Sequence, residues 1–169
     1  MVSMYQASIP PCLRALTALS DVLSKGEAHC VAQGIEPAVM LQSRLYPDMF
    51  PLLRQVQIAA DSARRLGARL TRTLPASVPD IETSFAELRQ RLAATIEGLR
   101  AVRPEELEGT ETMEIIIPIQ KGELRLTGLE YAQGFAIPNV YFHAVTAYDI
   151  LRHNGVVLEK QDFLGPLGI

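Results

Sequence analysis

The sequence predicts an all-α protein, an antiparallel four-helix bundle with a small β-hairpin inserted before the last helix. Four segments repeat apolar residues at about 100° per residue, the spacing of one helical face. A short segment before the last of them instead carries a β-branched run and an apolar-polar alternation, which is typical of strands. A chain of 169 residues fits one domain, residues 1–169, in which amphipathic helices bury their apolar faces against one another.

Residues 3 to 25 form the first predicted helix, because apolar residues recur there at close to helical spacing. Pro10 and Pro11 fall in its early turns, so we expect the helix to bend or restart near them. The stretch from Gly26 to Ser43 is weakly periodic, and we expect a loop with a short helical piece.

The second predicted helix, within residues 47–70, has the clearest pattern. Its apolar residues fall on one stripe: Met49, Leu52, Leu53, Val56, Ala59, Ala60, Ala63, Leu66 and Leu70. Asp48 is placed to cap the start of this helix, and Pro51 is tolerable in its first turn. The arginines of the same segment fall mainly on the solvent side, namely Arg64, Arg65, Arg69 and Arg72.

The third predicted helix follows a break at "TLPASVPD", where two prolines and small polar residues mark a connection. Asp80 is placed to cap its start. Its apolar residues follow a seven-residue rhythm up to Pro104: Ile81, Phe85, Leu88, Leu92, Leu99 and Val102.

The segment "MEIIIPIQKGELRLTG" predicts a β-hairpin with a turn at Lys121-Gly122. Two strands alone are marginal in water, so we expect its own bundle or a dimer mate to cover the hairpin rather than a separate protein. From Gly128 the chain turns helical again, Pro138 resets the helix, and the last helix runs to Asn154.

Composition argues against several classes of function. The net charge of -3 and the pI near 5.6 provide no electrostatic footprint for nucleic acid. Cys12 and Cys30 have no metal-site spacing and imply no disulfide scaffold, so we expect a reducing cytoplasm. The first residues do not resemble a signal peptide, and no run of about 18 apolar residues could span a bilayer. We therefore expect neither secretion nor membrane insertion.

His143 is the main candidate for a functional residue, because it lies on the apolar face of the last helix and should be at least half buried. Asn139 lies one turn earlier on the same flank. Gln55 and Asp48 follow one edge of the apolar stripe of the second helix. If these edges meet across the bundle, Asp48, Gln55, Asn139 and His143 line one polar pocket.

Each candidate also has a purely structural interpretation. A lone histidine on an apolar face is more often hydrogen-bonded in the core than used as a ligand. Asp48 is explained locally as a helix cap, and Tyr148 as an aromatic residue at the rim of the core. No catalytic motif, phosphate-binding glycine loop or cysteine cluster accompanies these residues.

Three segments carry a family resemblance: "LYPDMFPLLRQVQIAADSA", "LTGLEYAQGFAIPNVYFHAVTAYDILRHNGV" and "KQDFLG". With them the chain resembles, over nearly its whole length, an uncharacterised domain-of-unknown-function family within the DinB/YfiT-like superfamily of four-helix bundles. The resemblance implies an antiparallel bundle and frequent dimers. For many members of the superfamily, the resemblance also implies a divalent metal that is held by one histidine on the second helix and by an H-x-x-x-H pair on the last helix. Some such members are thiol-dependent transferases.

The superfamily metal site is incomplete in this sequence. His143 matches the second histidine of the pair on the last helix, while Asn139 stands at the first, and the second helix contains no histidine. A site reduced to one imidazole and one amide retains little affinity for a transition metal. We therefore expect no cofactor and no stoichiometric metal, and at most a weakly held divalent ion that draws on oxygens of Asp48 and Gln55.

Two functions fit these observations. The first is a non-enzymatic cytoplasmic homodimer that keeps a degenerate metal site as a small polar ligand pocket around His143. The second is a metal- or thiol-dependent transferase or hydrolase in which His143 acts as general base or residual metal ligand. Asn139, Gln55 and Tyr148 would assist His143 in that reaction. The ligand or substrate stays open at this point.

Overall fold

The computed structural model describes residues 2–75 and 77–165, which are mostly helical with one two-stranded antiparallel hairpin. Met1, Ala76 and residues 166–169, which the predicted domain 1–169 includes, lie outside the described residues. In chain order the elements are α1 (Met4–Gln33), α2 (Pro37–Gln42), α3 (Leu52–Leu70), α4 (Phe85–Arg100), a 3₁₀ turn (Pro104–Leu107), β1 (Glu114–Ile119), β2 (Gly122–Thr127), α5 (Gly128–Glu130), a π-helical turn (Tyr131–Ala136), α6 (Ile137–His153) and α7 (Lys160–Leu164).

The four long helices pack around one apolar core. Helix α3 packs against both α4 and α6, and α1 packs against the same two helices. The stripe predicted for the second helix lies inside, because most of its members are buried, among them Leu52, Val56, Ala59, Ala63 and Leu66. Burying such a stripe is what stabilises an amphipathic helix in water.

Helix α1 is longer than predicted. It runs without a break across Pro10 and Pro11 and through the expected loop, and it ends where Gly34 adopts a left-handed φ of 64°. Gly26 is a close-packing position and not a break, since a Cβ there would lie 2.8 Å from Cδ2 of Leu151. The loop prediction for Gly26 to Ser43 was therefore wrong for its first part, while the short helical piece is α2.

Helix α3 begins at Leu52, so the prediction that Asp48 caps it was wrong. Pro51 occupies the cap position, and Asp48 lies exposed in the turn that precedes it. Pro47 and Pro51 each disfavour helical backbone in the residue before them, which delays the start of the helix.

Helix α4 begins at Phe85, so the prediction that Asp80 caps it was also wrong. Ser84 accepts a hydrogen bond from the Glu87 amide, and the Glu87 carboxylate accepts one from the Ser84 amide. This reciprocal pair is the capping box of an S-x-x-E sequence, and it outcompetes an isolated aspartate. Ile81 consequently lies outside the helix and is 77% exposed.

The hairpin belongs to the core of its own chain. Strand β1 pairs with β2 from Glu114↔Thr127 to Ile119↔Gly122, so the two-residue turn lies one residue earlier than the predicted Lys121-Gly122. Ile115 and Ile117 are buried in the same apolar cluster as the long helices. The alternation of strand side chains therefore directs one face of β1 inward.

Two residues of the arginine run depart from the predicted solvent-facing position. Arg65 and Arg72 are exposed, but Arg64 and Arg69 are half-buried. Arg69 donates to the Tyr131 hydroxyl over 2.8 Å, and its guanidinium lies 5.3 Å from the centre of that ring. This contact is a cation-π interaction, which favours partial burial of the arginine.

The last helical stretch follows the prediction. It passes from α5 through the π-helical turn into α6, with Pro138 in the first turn of α6 and Asn154 at its C-terminal cap. No helix within the described ranges combines the length and the apolar composition that a membrane span requires.

Gly128 tests the packing of the hairpin against the helices. A Cβ at Gly128 would overlap the carbonyl oxygen of Thr110, whereas a Cβ at Gly98 in α4 meets no atom within 4 Å. We expect Gly128→Ala to lower the free energy of unfolding by about 1–3 kcal/mol through overpacking. Gly98→Ala should raise it by about 0.5–1 kcal/mol through helix propensity. Urea denaturation measures both, and equal stability of the two variants would contradict this packing.

Candidate functional site

Gln55 and His143 form a polar pair inside the α3–α6 interface. Nδ1 of His143 lies 2.6 Å from Oε1 of Gln55, although the residues are 88 positions apart in sequence. Gln55 is 2% exposed and His143 is 9% exposed. The structure therefore brings together Gln55 and His143, two of the four residues of the hypothesised pocket.

The hydrogen bonds of Gln55 define the tautomer of His143. Nε2 of Gln55 donates to the carbonyl oxygen of Phe50 over 3.0 Å, so the amide nitrogen faces Phe50. A reversed amide would set two carbonyl oxygens against each other. Oε1 of Gln55 is thus the acceptor that faces His143, and Nδ1 of His143 carries the proton.

The second ring nitrogen of His143 remains available. Burial, and after it the positive charge of Arg54, lower the pKa of His143, so the ring is neutral at pH 7. A neutral ring with its proton on Nδ1 has a lone pair on Nε2. Nε2 has no hydrogen-bond partner among the residues that the structure describes, and it is not sealed from solvent.

Asn139 and Asp48 do not join this pair. The Asn139 amide nitrogen donates to the carbonyl oxygen of Phe135 over 2.7 Å, one turn back along the helical stretch. Asp48 is exposed in the turn before α3. Across residues 2–75 and 77–165, no hydrogen bond links either side chain to His143.

Tyr148 lies elsewhere on α6. Its ring contacts the ring of Phe163 in α7, edge to face, with centres 6.3 Å apart. Five residues along a helix correspond to a rotation of roughly 140° between Tyr148 and His143. The aromatic-rim interpretation of Tyr148 therefore agrees with its position better than a role beside His143.

Three residues around the pair were not predicted. Phe50 contributes a backbone carbonyl, for which the sequence holds no signal. The ring of Phe142 meets the imidazole edge to face at 5.1 Å, and Phe142 is 60% exposed. Arg54 lies near enough to lower the pKa of His143, and it pairs with Asp80. Arg54 directly precedes Gln55, so its position was accessible from the sequence.

The side chains around His143 do not fit the metal that the superfamily implies. Nδ1 of His143 is bound to Gln55, and both polar atoms of the Gln55 amide already have partners. One imidazole nitrogen is left, far short of the three or four protein donors of a zinc site. Within the described part of the chain, no three His, Cys, Asp or Glu side chains are grouped to hold a metal ion.

Comparisons with known proteins agree with this fold. The family model described as "Domain of unknown function (DUF1993)" matches residues 4–164. The crystal structure of a DinB family member protein from Shewanella denitrificans superposes with a TM-score of 0.91 at 41% sequence identity. That match covers 98% of this chain and 93% of the other. No curated protein matches the chain.

The lowered pKa of His143 makes a prediction about stability against pH. Near pH 6.5 the unfolded chain binds a proton that the folded chain does not, so stability falls as the pH drops through this range. The variant His143→Gln keeps an amide donor for Gln55 but lacks the pH-dependent part of the stability that arises from His143. Urea denaturation at about pH 7.5, 6.5 and 5.5 should show a steeper loss for the wild type than for the variant. Parallel losses would contradict the account.

Proposed function

Since this chain belongs to the family of unknown function DUF1993, whose description names no activity, we propose its function from the geometry of the site. The protein is a non-enzymatic helical bundle that binds a small molecule at Nε2 of His143. The ligand donates an O–H or N–H to this nitrogen.

The 2.6 Å hydrogen bond between Gln55 and His143 is the observation that carries the proposal. It holds the imidazole in one orientation and one tautomer before any ligand arrives. A group that is already oriented loses little conformational entropy on binding, so its hydrogen bond contributes more fully to affinity. A purely structural histidine would need no open lone pair.

The rim of the site supports a flat, partly apolar ligand. Phe142 and Phe50 are both largely exposed, and the guanidinium of Arg54 lies 6.0 Å from the centre of the Phe50 ring. Exposed aromatic rings beside an oriented polar group provide a flat apolar surface against which a ligand can stack. A phenol or an indole combines an aromatic face with the required donor.

The cysteines support a binding role over catalysis by a protein nucleophile. Cys12 and Cys30 are both buried and unpaired. Burial raises the pKa of Cys12 to about 12, and burial followed by the charge of Glu27 raises the pKa of Cys30. The reactive thiolate form is therefore scarce at pH 7.

The proposal also covers the bundle architecture, the oligomeric state and the cellular location of the protein. The packing of α1 and α3 against both α4 and α6 supports an antiparallel four-helix bundle. Exposed large apolar side chains, among them Tyr46, Phe50 and Phe142, support a homodimer that buries part of this apolar surface. The free buried thiols support a cytoplasmic location.

A second candidate function rests on the same lone pair. A neutral imidazole nitrogen open to solvent can remove a proton from an external thiol or water, which is the role of a general base. In this alternative the protein is a transferase or hydrolase, and the nucleophile is a small-molecule thiol or water from solution.

A panel of phenols, indoles and uncharged aromatic analogues without a donor tests ligand binding. Nuclear magnetic resonance titration should show that a donor-bearing member shifts the His143 ring resonances. Its affinity should fall by at least about tenfold in His143→Ala, the loss expected for one oriented hydrogen bond. His153→Ala removes an exposed imidazole from the end of the same helix and should leave that affinity unchanged.

Two results would count against the binding proposal. One is equal affinity for the wild type and a folded His143→Ala variant. The other is turnover of an electrophile by added low-molecular-weight thiols that disappears in His143→Ala, which would favour the enzymatic alternative.

A further inference from the structure

A cavity lies between α3 and α4, apart from the His143 pair. Its volume is about 640 Å³, within the range of small-molecule sites, and neither Gln55 nor His143 lines it. Small residues on the two helices leave the space open: Gly67, Ala68, Ala94 and Gly98. Val78 and Ile81, from the connection before α4, lie at its edge. We call this cavity the α3–α4 cleft.

Arg91 organises the polar end of the α3–α4 cleft. Its side chain is 4% exposed and forms ion pairs with Asp61 at 2.9 Å, Asp80 at 2.9 Å and Glu82 at 2.8 Å. Burial acts to raise the pKa of Glu82, but hydrogen bonds from Arg91 and Gln57 lower it overall. Glu82 is therefore ionised, and three carboxylates match the positive charge of Arg91, while its buried Nε has no hydrogen-bond partner among the described residues.

The other charged groups that line the cleft also have polar partners within the protein. Arg64 forms an ion pair with Asp61 at 3.1 Å. The carboxylate of Glu87 accepts hydrogen bonds from the backbone amides of Thr83 at 2.6 Å and Ser84 at 3.1 Å. An anionic ligand would lose its hydration in this cleft without gaining an unpaired positive counter-charge.

The same arginine holds the edge of the cleft in place. Arg91 donates to the carbonyl oxygen of Pro79 over 3.0 Å, in addition to its ion pairs with Asp80 and Glu82. Arg91 thereby holds the segment between α3 and α4 against α4 at the residues on either side of Ile81. Ile81 is thus held with most of its side chain in water, and a ligand in the cleft would cover apolar surface there.

We propose that the α3–α4 cleft binds one uncharged, largely apolar small molecule per chain. The volume of the cleft, its small apolar walls and the carboxylates that match the charge of Arg91 each favour such a ligand over an anion. This site is separate from the proposed site at His143 and does not depend on it.

Two related fluorophores test the ligand class. N-phenylnaphthylamine is uncharged, whereas anilinonaphthalenesulfonate has the same aromatic frame with an added sulfonate. We expect saturable binding of one N-phenylnaphthylamine per chain. The sulfonate should bind at least about tenfold more weakly, because it finds no unpaired cation.

Substitutions at Gly98 locate the binding. A Cβ at this position has open space, so Gly98→Ala should keep the affinity, whereas Gly98→Phe fills the cleft and should weaken it at least about tenfold. Ala94→Phe, one turn earlier on α4, provides a second blocking variant. Circular dichroism checks that each variant is folded. His143→Ala should bind like the wild type, which separates this site from the other.

Three outcomes would overturn the proposal. They are the absence of saturable N-phenylnaphthylamine binding, undiminished binding in both folded phenylalanine variants, and loss of binding in His143→Ala. Equal or tighter binding of the sulfonated probe would overturn the assignment of an uncharged ligand.

Discussion

The packing of α3 against α6 on one flank and, beside the α3–α4 cleft, against α4 on the other is the constraint on which the rest of the structure depends. Small residues make it feasible, since Ala59 and Ala63 are fully buried and a Cβ at Gly67 would lie 3.0 Å from Cδ2 of Leu99. Interiors pack at near-crystalline density, so two helices that approach this closely leave few choices for the side chains between them. One flank of α3 thereby sets Gln55 against His143.

The polar groups on the two flanks of α3 find partners in two different ways, through hydrogen bonds on one flank and through ion pairs on the other. At the α6 flank, both polar atoms of the Gln55 amide have partners, while one nitrogen of His143 is left open. At the α4 flank, Arg91 is surrounded by carboxylates that match its charge. The open Nε2 of His143 is the atom that the proposed ligand would use. The network around Arg91 instead lines one end of the α3–α4 cleft.

Helical periodicity predicted the long helices and the buried stripe of α3, because burial of apolar area dominates their stability. The same arithmetic placed Gln55 and His143 on helix edges, but the meeting of these edges was a hypothesis about packing that the sequence itself does not show. Helix starts were less accessible: Asp48 and Asp80 looked like caps, but prolines delayed one helix and the Ser84–Glu87 box began the other. The ion pairs of Arg91 depend on how the segment between α3 and α4 folds, which no residue pattern encodes. The carbonyl oxygen of Phe50 belongs to the backbone, so its contact with Gln55 has no sequence signal either.

The central claim is that His143 is neutral, carries its proton on Nδ1 and presents a lone pair on Nε2. Nitrogen-15 resonance of histidine-labelled protein at pH 7 tests it most directly, because protonated and unprotonated ring nitrogens resonate far apart. The account predicts a protonated Nδ1 and an unprotonated Nε2 for His143, with the distinction weakened in Gln55→Leu. A proton on Nε2 in the wild type, or a doubly protonated ring, would contradict it.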